Sequence, residues 1–282
     1  MSVIIEFEGV HKVFGDYHAL GEINLTVAEH CFVCIVGGSG CGKTTLMNLV
    51  AGFERPSSGT VKASGEVVTC PDPRRTVVFQ DHALFPWLTV AGNIEYGLKR
   101  KGMPKKEREE VVRHYVDLIE LTGFEGALPR KLSGGMRQRV AIARALATGP
   151  DILLMDEPFG ALDALTRARM QVELVNIWQR ERKTVIFITH SIEEAVMMGD
   201  RVLVMSSRPG RVVDDIRLES PRPRDMFSPE AATAMQRLRD HFGIGDAERF
   251  DNGGSRAAGD GGDAGGVGHE LGDATGGEGG GR

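Results

Sequence analysis

The run GGSGCGKT at residues 37–44 has the types and spacing that point most directly to chemistry. It fits G-x-x-x-x-G-K-S/T between an apolar run that reads as a strand and a segment that reads as a helix. Gly37, Gly38, Ser39, Gly40, Cys41 and Gly42 form a loop that can close around an anion, because glycine lets backbone approach closely. Its successive N–H groups and the start of the following helix then face negative charge. Lys43 adds an ammonium suited to the β- and γ-phosphates of a nucleotide. Thr44 offers a hard oxygen suited to Mg2+, and Thr45 a further hydrogen bond to phosphate. A second run, ILLMDEP at residues 152–158, is an apolar strand ending in two acids, at the edge where α/β sheets bind ligands. Asp156 is positioned to hold Mg2+ directly or through water, and Glu157 to orient and polarise an attacking water. An acidic pair after a strand also serves as a helix cap. The phosphate loop upstream is what turns it into a magnesium–nucleotide site. Together the two runs predict a P-loop nucleotide hydrolase without saying which.

The elements that must position these groups are legible in outline. Strands are predicted at residues 3–13, 23–27, 31–36, 77–79, 152–155, 184–188 and 201–205. Helices are predicted at residues 44–53, 105–121, 140–147, 165–182 and 192–198. The alternation argues for an α/β fold with a largely parallel core sheet. Residues 84–132 break that alternation and read as an inserted helical subdomain. After Asp251 the chain is dominated by glycine with scattered acids and few apolar side chains. Such a segment buries too little surface to offset its ordering entropy, so a disordered tail is expected over residues 253–282.

The element that discriminates among P-loop hydrolases is LSGGMRQRVAIARAL, residues 132–146. It resembles the signature of the ABC ATPase family. Companion motifs follow in the family's order: Phe14 in HKVFG, Gln80 in VVFQD, Asp163 in GALD and His190 in FITHS. The resemblance implies ATP as substrate, Mg2+ as cofactor, and an ABC core over residues 3–235 with an N-terminal antiparallel β region and a helical insert at about 84–135. A helical extension is expected over residues 236–252. Phe14 would stack on adenine. Gln80 would touch Mg2+ and the water, Glu157 and His190 would act at the γ-phosphate, and Asp163 would carry communication across a dimer. In the family two subunits dock head to tail, so Ser133, Gly134, Gly135 and Gln138 would contact the ATP held by the partner protomer. Two departures stand out: Gly38 replaces a common proline and Gly160 a common serine. Neither removes a catalytic side chain.

The segment QDHALFPWLTVAGNI after Gln80, with GMRQR in the signature, looks like importer subunits for nitrate, sulfonate, taurine or bicarbonate. That implies a homodimer on the cytoplasmic face of the cell membrane, bound to transmembrane permease subunits and served indirectly by a solute-binding protein. Phe85, Pro86 and Trp87 are expected to help form the groove for a permease helix, the competing expectation being that Trp87 packs inside the insert. The alternative function is a non-transport ABC ATPase acting on nucleic acid or ribosomes. Against it, the stretch from Gln80 to Ser133 carries no heptad run or zinc set, and the chain holds one ATPase core.

Bulk properties agree. The 282 residues carry a formal net charge of -5, with no basic excess that would make nucleic acid an expected partner. No stretch approaches the roughly 20 apolar residues needed to cross a bilayer, and the N-terminus lacks the pattern of a signal peptide. Cys31 and Cys34 form a CxxC, but inside a strand positions three apart face opposite sides, so two reduced thiols are expected rather than a redox or zinc pair.

Overall fold

The structure, a computed structural model, describes residues 2–80, 83–160, 162–222 and 224–243. Strands β1 (Val3–Phe14) and β2 (Tyr17–Ala28) form a long antiparallel hairpin. In β2 the burial alternates residue by residue from Gly21 onward, as a strand with one covered face requires. Strands β4 (Ser58–Ala63) and β5 (Glu66–Val67) complete a four-stranded sheet in the order β2-β1-β4-β5.

The second sheet carries the chemistry. It contains β3 (Phe32–Gly37), β6 (Arg75–Val78), β7 (Ile152–Asp156), β8 (Thr184–Ile188), β9 (Arg201–Ser206) and β10 (Arg211–Arg217). Their order is β10-β9-β3-β8-β7-β6, parallel except for β10 at one edge. Every residue of β3 and β8 is buried, which explains their unbroken apolar sequences: both faces of the sheet are covered. The two faces feed separate cores. Phe32, Cys34 and Val36 point into one, with Phe187 and Trp178, and Val33 and Ile35 point into the other, with Leu46 and Val50.

Cys31 and Cys34 consequently serve different cores, and both are free thiols. Burial pushes the Cys31 thiol up to about 11 and the Cys34 thiol higher still. Cys31 is only half-buried, and Cys70 is exposed.

Seven α-helices surround the sheets among the described residues: α1 (Lys43–Ala51), α2 (Val90–Arg100), α3 (Lys105–Leu118), α4 (Gly134–Ala147), α5 (Ala164–Glu181), α6 (Ile192–Met198) and α7 (Pro229–His241). Helix α4 starts six residues before the expected position at 140. Its two leading glycines are poor helix formers, but the Ser133 side chain accepts from the Met136 N–H at 3.2 Å and caps the turn. The segment ahead of α2 is pinned by Asn93. This fully buried amide accepts from Phe85 N–H and donates to the carbonyls of Phe85, Leu88 and Thr89. Helix α7 opens with Ser228 as cap and Pro229 in its first turn, and it runs across residue 235, the expected edge of the core. The rest of the expected extension beyond 243 and the glycine-rich tail lie outside the described residues.

Candidate nucleotide-binding and hydrolysis site

The phosphate loop leaves the carboxyl end of β3 and turns into α1. Gly42 makes that turn with φ 94°, in the left-handed region that glycine tolerates. A Cβ there would come within 2.6 Å of Leu20 Cδ2, and one on Gly37 within 2.5 Å of Cys41 Sγ and 2.8 Å of the Met205 carbonyl. The loop is therefore packed tightly on its inner side. No side chain caps α1, so the first N–H groups of that helix remain available to an anion.

Residues 39–45 line a cavity of about 340 Å³ together with Tyr17, Ala19 and Glu157. The Lys43 ammonium sits low in this loop, donating to the carbonyls of Gly37 at 2.7 Å and Gly38 at 3.2 Å. Thr44 Oγ1 donates to Asp156 Oδ2 at 3.1 Å, joining the end of β7 to the start of α1. Burial pushes the Asp156 carboxyl above its ordinary value. The Thr44 hydrogen bond opposes that shift, and the neighbouring Glu157 charge reinforces it. A carboxylate made costly by desolvation, beside a hydroxyl oxygen, fits a small hard cation such as Mg2+.

Glu157 has φ 43°, an uncommon conformation for a side-chain-bearing residue that costs about 1–3 kcal/mol. Its N–H donates to the Ile188 carbonyl at 3.0 Å, so the strain is held by β8. Glu157 is among the residues that line the cavity. Glu157 Oε2 lies 3.3 Å from Nδ1 of His190, whose ring is otherwise open to solvent. Gln80, exposed at the end of β6, reaches the turn after Glu157: a Cβ on Gly160 would sit 2.7 Å from Gln80 Nε2. The glycine found in place of serine thus leaves room for the glutamine amide. Asp163 caps α5, accepting from Thr166 N–H at 3.0 Å, and these bonds hold its carboxyl below the usual range.

Phe14 lies outside the cavity lining, 43% exposed, with the Lys12 ammonium 4.5 Å above its ring. Lys12 is held there by Glu54 at 2.7 Å. The lining aromatic is Tyr17, the strand partner of Phe14 across the hairpin turn, and its hydroxyl donates to the Gly40 carbonyl at 3.3 Å. Sequence reasoning missed Tyr17. The available signal was a second aromatic placed by a two-residue turn opposite the first.

The signature residues do not line this cavity. Ser133 is exposed at the start of α4, Gly134 is partly exposed, and Gly135 is buried where α4 meets α5, its missing Cβ only 2.8 Å from Thr166 Cγ2. Gln138 corrects an expectation. It is 0% exposed, on the inner side of α4, and so does not share the surface that Ser133 presents. The expectation that Trp87 packs inside the insert is also overturned: Trp87 is 72% exposed, with Phe85 between it and Tyr96.

A phosphate loop after a central strand of a parallel sheet, with an acid pair at the end of β7 one strand further along, defines a P-loop nucleotide-hydrolysing cassette. Comparison with known proteins specifies it. Residues 20–160 match the ABC transporter family. The chain is 53% identical over 229 residues to a taurine import ATP-binding protein of Rhizobium johnstonii, covering 80% of this chain and 87% of that one. It is 48% identical over 221 residues to a nitrate import ATP-binding protein of Synechocystis, covering 77% and 83%. A solved dimer of the ATP-binding cassette MJ0796, in a post-hydrolysis state with ADP and Pi, matches at 32% identity and a TM-score of 0.66, covering 77% of this chain and all of that one. The chain belongs to the ATP-binding subunits of ABC transporters, and it is an ATPase.

Proposed function

We propose that this chain powers an importer for a small solute of the nitrate, sulfonate or taurine type. It works as a head-to-tail pair on the cytoplasmic face of the cell membrane, held there by permease subunits and supplied with solute by a binding protein. Residues 3–235 form the cassette in this reading, with the helical insert at about 84–135. Among the described residues no helix is long and apolar enough to cross a membrane, so the membrane contact is assigned to partners. The relatives named for taurine and nitrate import support the solute class.

The observation that carries the mechanism is the pairing of His190 with Glu157, which lines the same cavity as Lys43. ATP enters with its phosphates over the loop, and Lys43 exchanges its carbonyl partners for phosphate oxygens. Phe14 supports the adenine ring, and Tyr17 flanks the loop. Thr44 and Asp156, with Gln80 nearby, would hold Mg2+, which neutralises charge on the phosphates as it develops. Glu157 orients a water and takes its proton. The water oxygen bonds to the γ-phosphorus while the bond to the β–γ bridging oxygen breaks, giving ADP and phosphate. His190 fixes the Glu157 carboxylate and the γ-phosphate relative to each other. Ser133, Gly134 and Gly135 of a second copy close the site over the γ-phosphate, so ATP holds the pair together and hydrolysis releases it. Asp163, beside this contact, links the two sites.

Glu157→Gln tests this reading. Turnover should fall by about 100-fold or more while ATP binding persists and a dimer accumulates, as read by size-exclusion chromatography with ATP. Undiminished turnover, or a monomer at saturating ATP, would overturn it.

A further inference from the structure

His190 stands at an exposed corner between the end of β8 and the start of α6, where little contacts the ring itself. Its two backbone neighbours are held unusually firmly. Ser191 caps α6 by accepting from Glu194 N–H at 3.1 Å, the first half of a capping box. In the ordinary second half, the Glu194 carboxylate would turn back to the Ser191 N–H. Here the Thr189 hydroxyl is inserted between them. Ser191 N–H donates to Thr189 Oγ1 at 3.0 Å, and that hydroxyl donates onward to Glu194 Oε2 at 2.5 Å. The other carboxylate oxygen accepts from Gln171 Nε2 of α5 at 3.0 Å. Glu194 is 6% exposed. A buried carboxylate is costly unless both oxygens are satisfied, and here two donors and the N-terminal end of α6 meet that need.

We infer that Glu194 is a positioning residue for hydrolysis, holding His190 against Glu157 through Thr189 and Ser191. The inference rests on the reading that His190 acts at the γ-phosphate. The geometry supports it in two ways. The network grips the residues on both sides of His190 and leaves the His190 side chain free to face its substrate. It also ties that corner to α5, the helix that begins at Asp163, so the corner is fixed to the element next to the proposed partner contact. A shift of the corner would lengthen the 3.3 Å approach of His190 to Glu157. A plain helix cap would need neither Thr189 nor Gln171.

The test is a mutant cycle on ATP turnover. Glu194→Gln keeps the side-chain shape but has a single acceptor for two donors. Thr189→Val removes the bridging hydroxyl at nearly constant volume, and it serves if the first variant folds poorly. Either change should lower kcat by about 10- to 100-fold, with KM for ATP altered by less than about threefold. In a His190→Ala background the same change should cost less than about twofold, because Glu194 would then have nothing left to position. An equal loss in both backgrounds would overturn the positioning role and leave a general structural one. Wild-type kcat in well-folded Glu194→Gln and Thr189→Val would overturn it too. The underlying reading fails separately, if His190→Ala alone turns over at the wild-type rate.

Discussion

Two helix N-termini in this molecule are built from glycine and a hydroxyl residue, yet they are finished differently. Helix α1 begins without a side-chain cap, and its leading backbone opens into a cavity made within the chain. Helix α4 is capped by its own Ser133 and presents that end on the surface, away from the cavity lining. An uncapped helix start inside a closed loop is suited to take an anion by itself. A capped start on an open surface is suited to add contacts to an anion held elsewhere. The difference fits the proposed function, in which one chain holds the nucleotide and a second copy closes over it.

The largest effect that can break this comparison is at α1. Lys43→Ala removes the one ammonium that lines the cavity. Charge-assisted hydrogen bonds contribute about 1.5–3 kcal/mol each, so ATP affinity should fall by about 10- to 150-fold. Calorimetric titration of the isolated chain measures it. Unchanged affinity would mean that α1 is not where phosphate is held.

A smaller and different effect is expected at α4. Gly135→Val would drive a side chain into Thr166, whose Cγ2 is 2.8 Å from the position of the new Cβ. Overpacking of this kind costs about 1–3 kcal/mol and displaces α4 from α5. ATP affinity of the isolated chain should stay within about twofold, while turnover falls by about tenfold or more. Calorimetry and a phosphate-release assay on the same sample separate the two. Equal losses in both would mean that the helices share one role.

The same contrast explains what was legible in the sequence. The glycine-rich loop, Asp156, Glu157 and Ser133 lie at the strand ends and helix starts that their spacing predicts, because an apolar run followed by glycines, acids or a capping hydroxyl marks such a boundary locally. Strands β3, β7 and β8 were legible because burial on both faces leaves them almost entirely apolar. Strand β10 was not: it is an edge strand, RVVDDIR, with a single fully buried residue, and its pattern resembles a loop. Tyr17 and Glu194 were missed for a different reason. A two-residue turn and a Ser-x-x-Glu spacing mark their places locally, but their roles arise from convergence across a hairpin and from α5 onto α6, which spacing alone does not encode. Gln138 was assigned to the surface by its place in a motif. The helical period puts it on the same face as the buried Ala141, Ile142 and Ala145, turned away from Ser133.

The finest test lies outside both helix starts, at the exposed aromatic edge of the insert. Phe85 packs between Trp87 and Tyr96 at centroid distances of 5.6 and 4.5 Å, and Asn93 fixes the backbone beneath them. Trp87 itself contributes little to this packing, since most of its surface faces solvent. Trp87→Ala should therefore shift the stability of the isolated chain by no more than about 0.5 kcal/mol and leave its basal ATP turnover unchanged. What it should remove is stimulation of turnover by the permease in reconstituted vesicles, because an exposed tryptophan beside a rigid aromatic pair is the kind of anchor a partner helix buries. A marked loss of basal turnover would place Trp87 within the catalytic unit. Full stimulation would move the permease contact to another part of the insert.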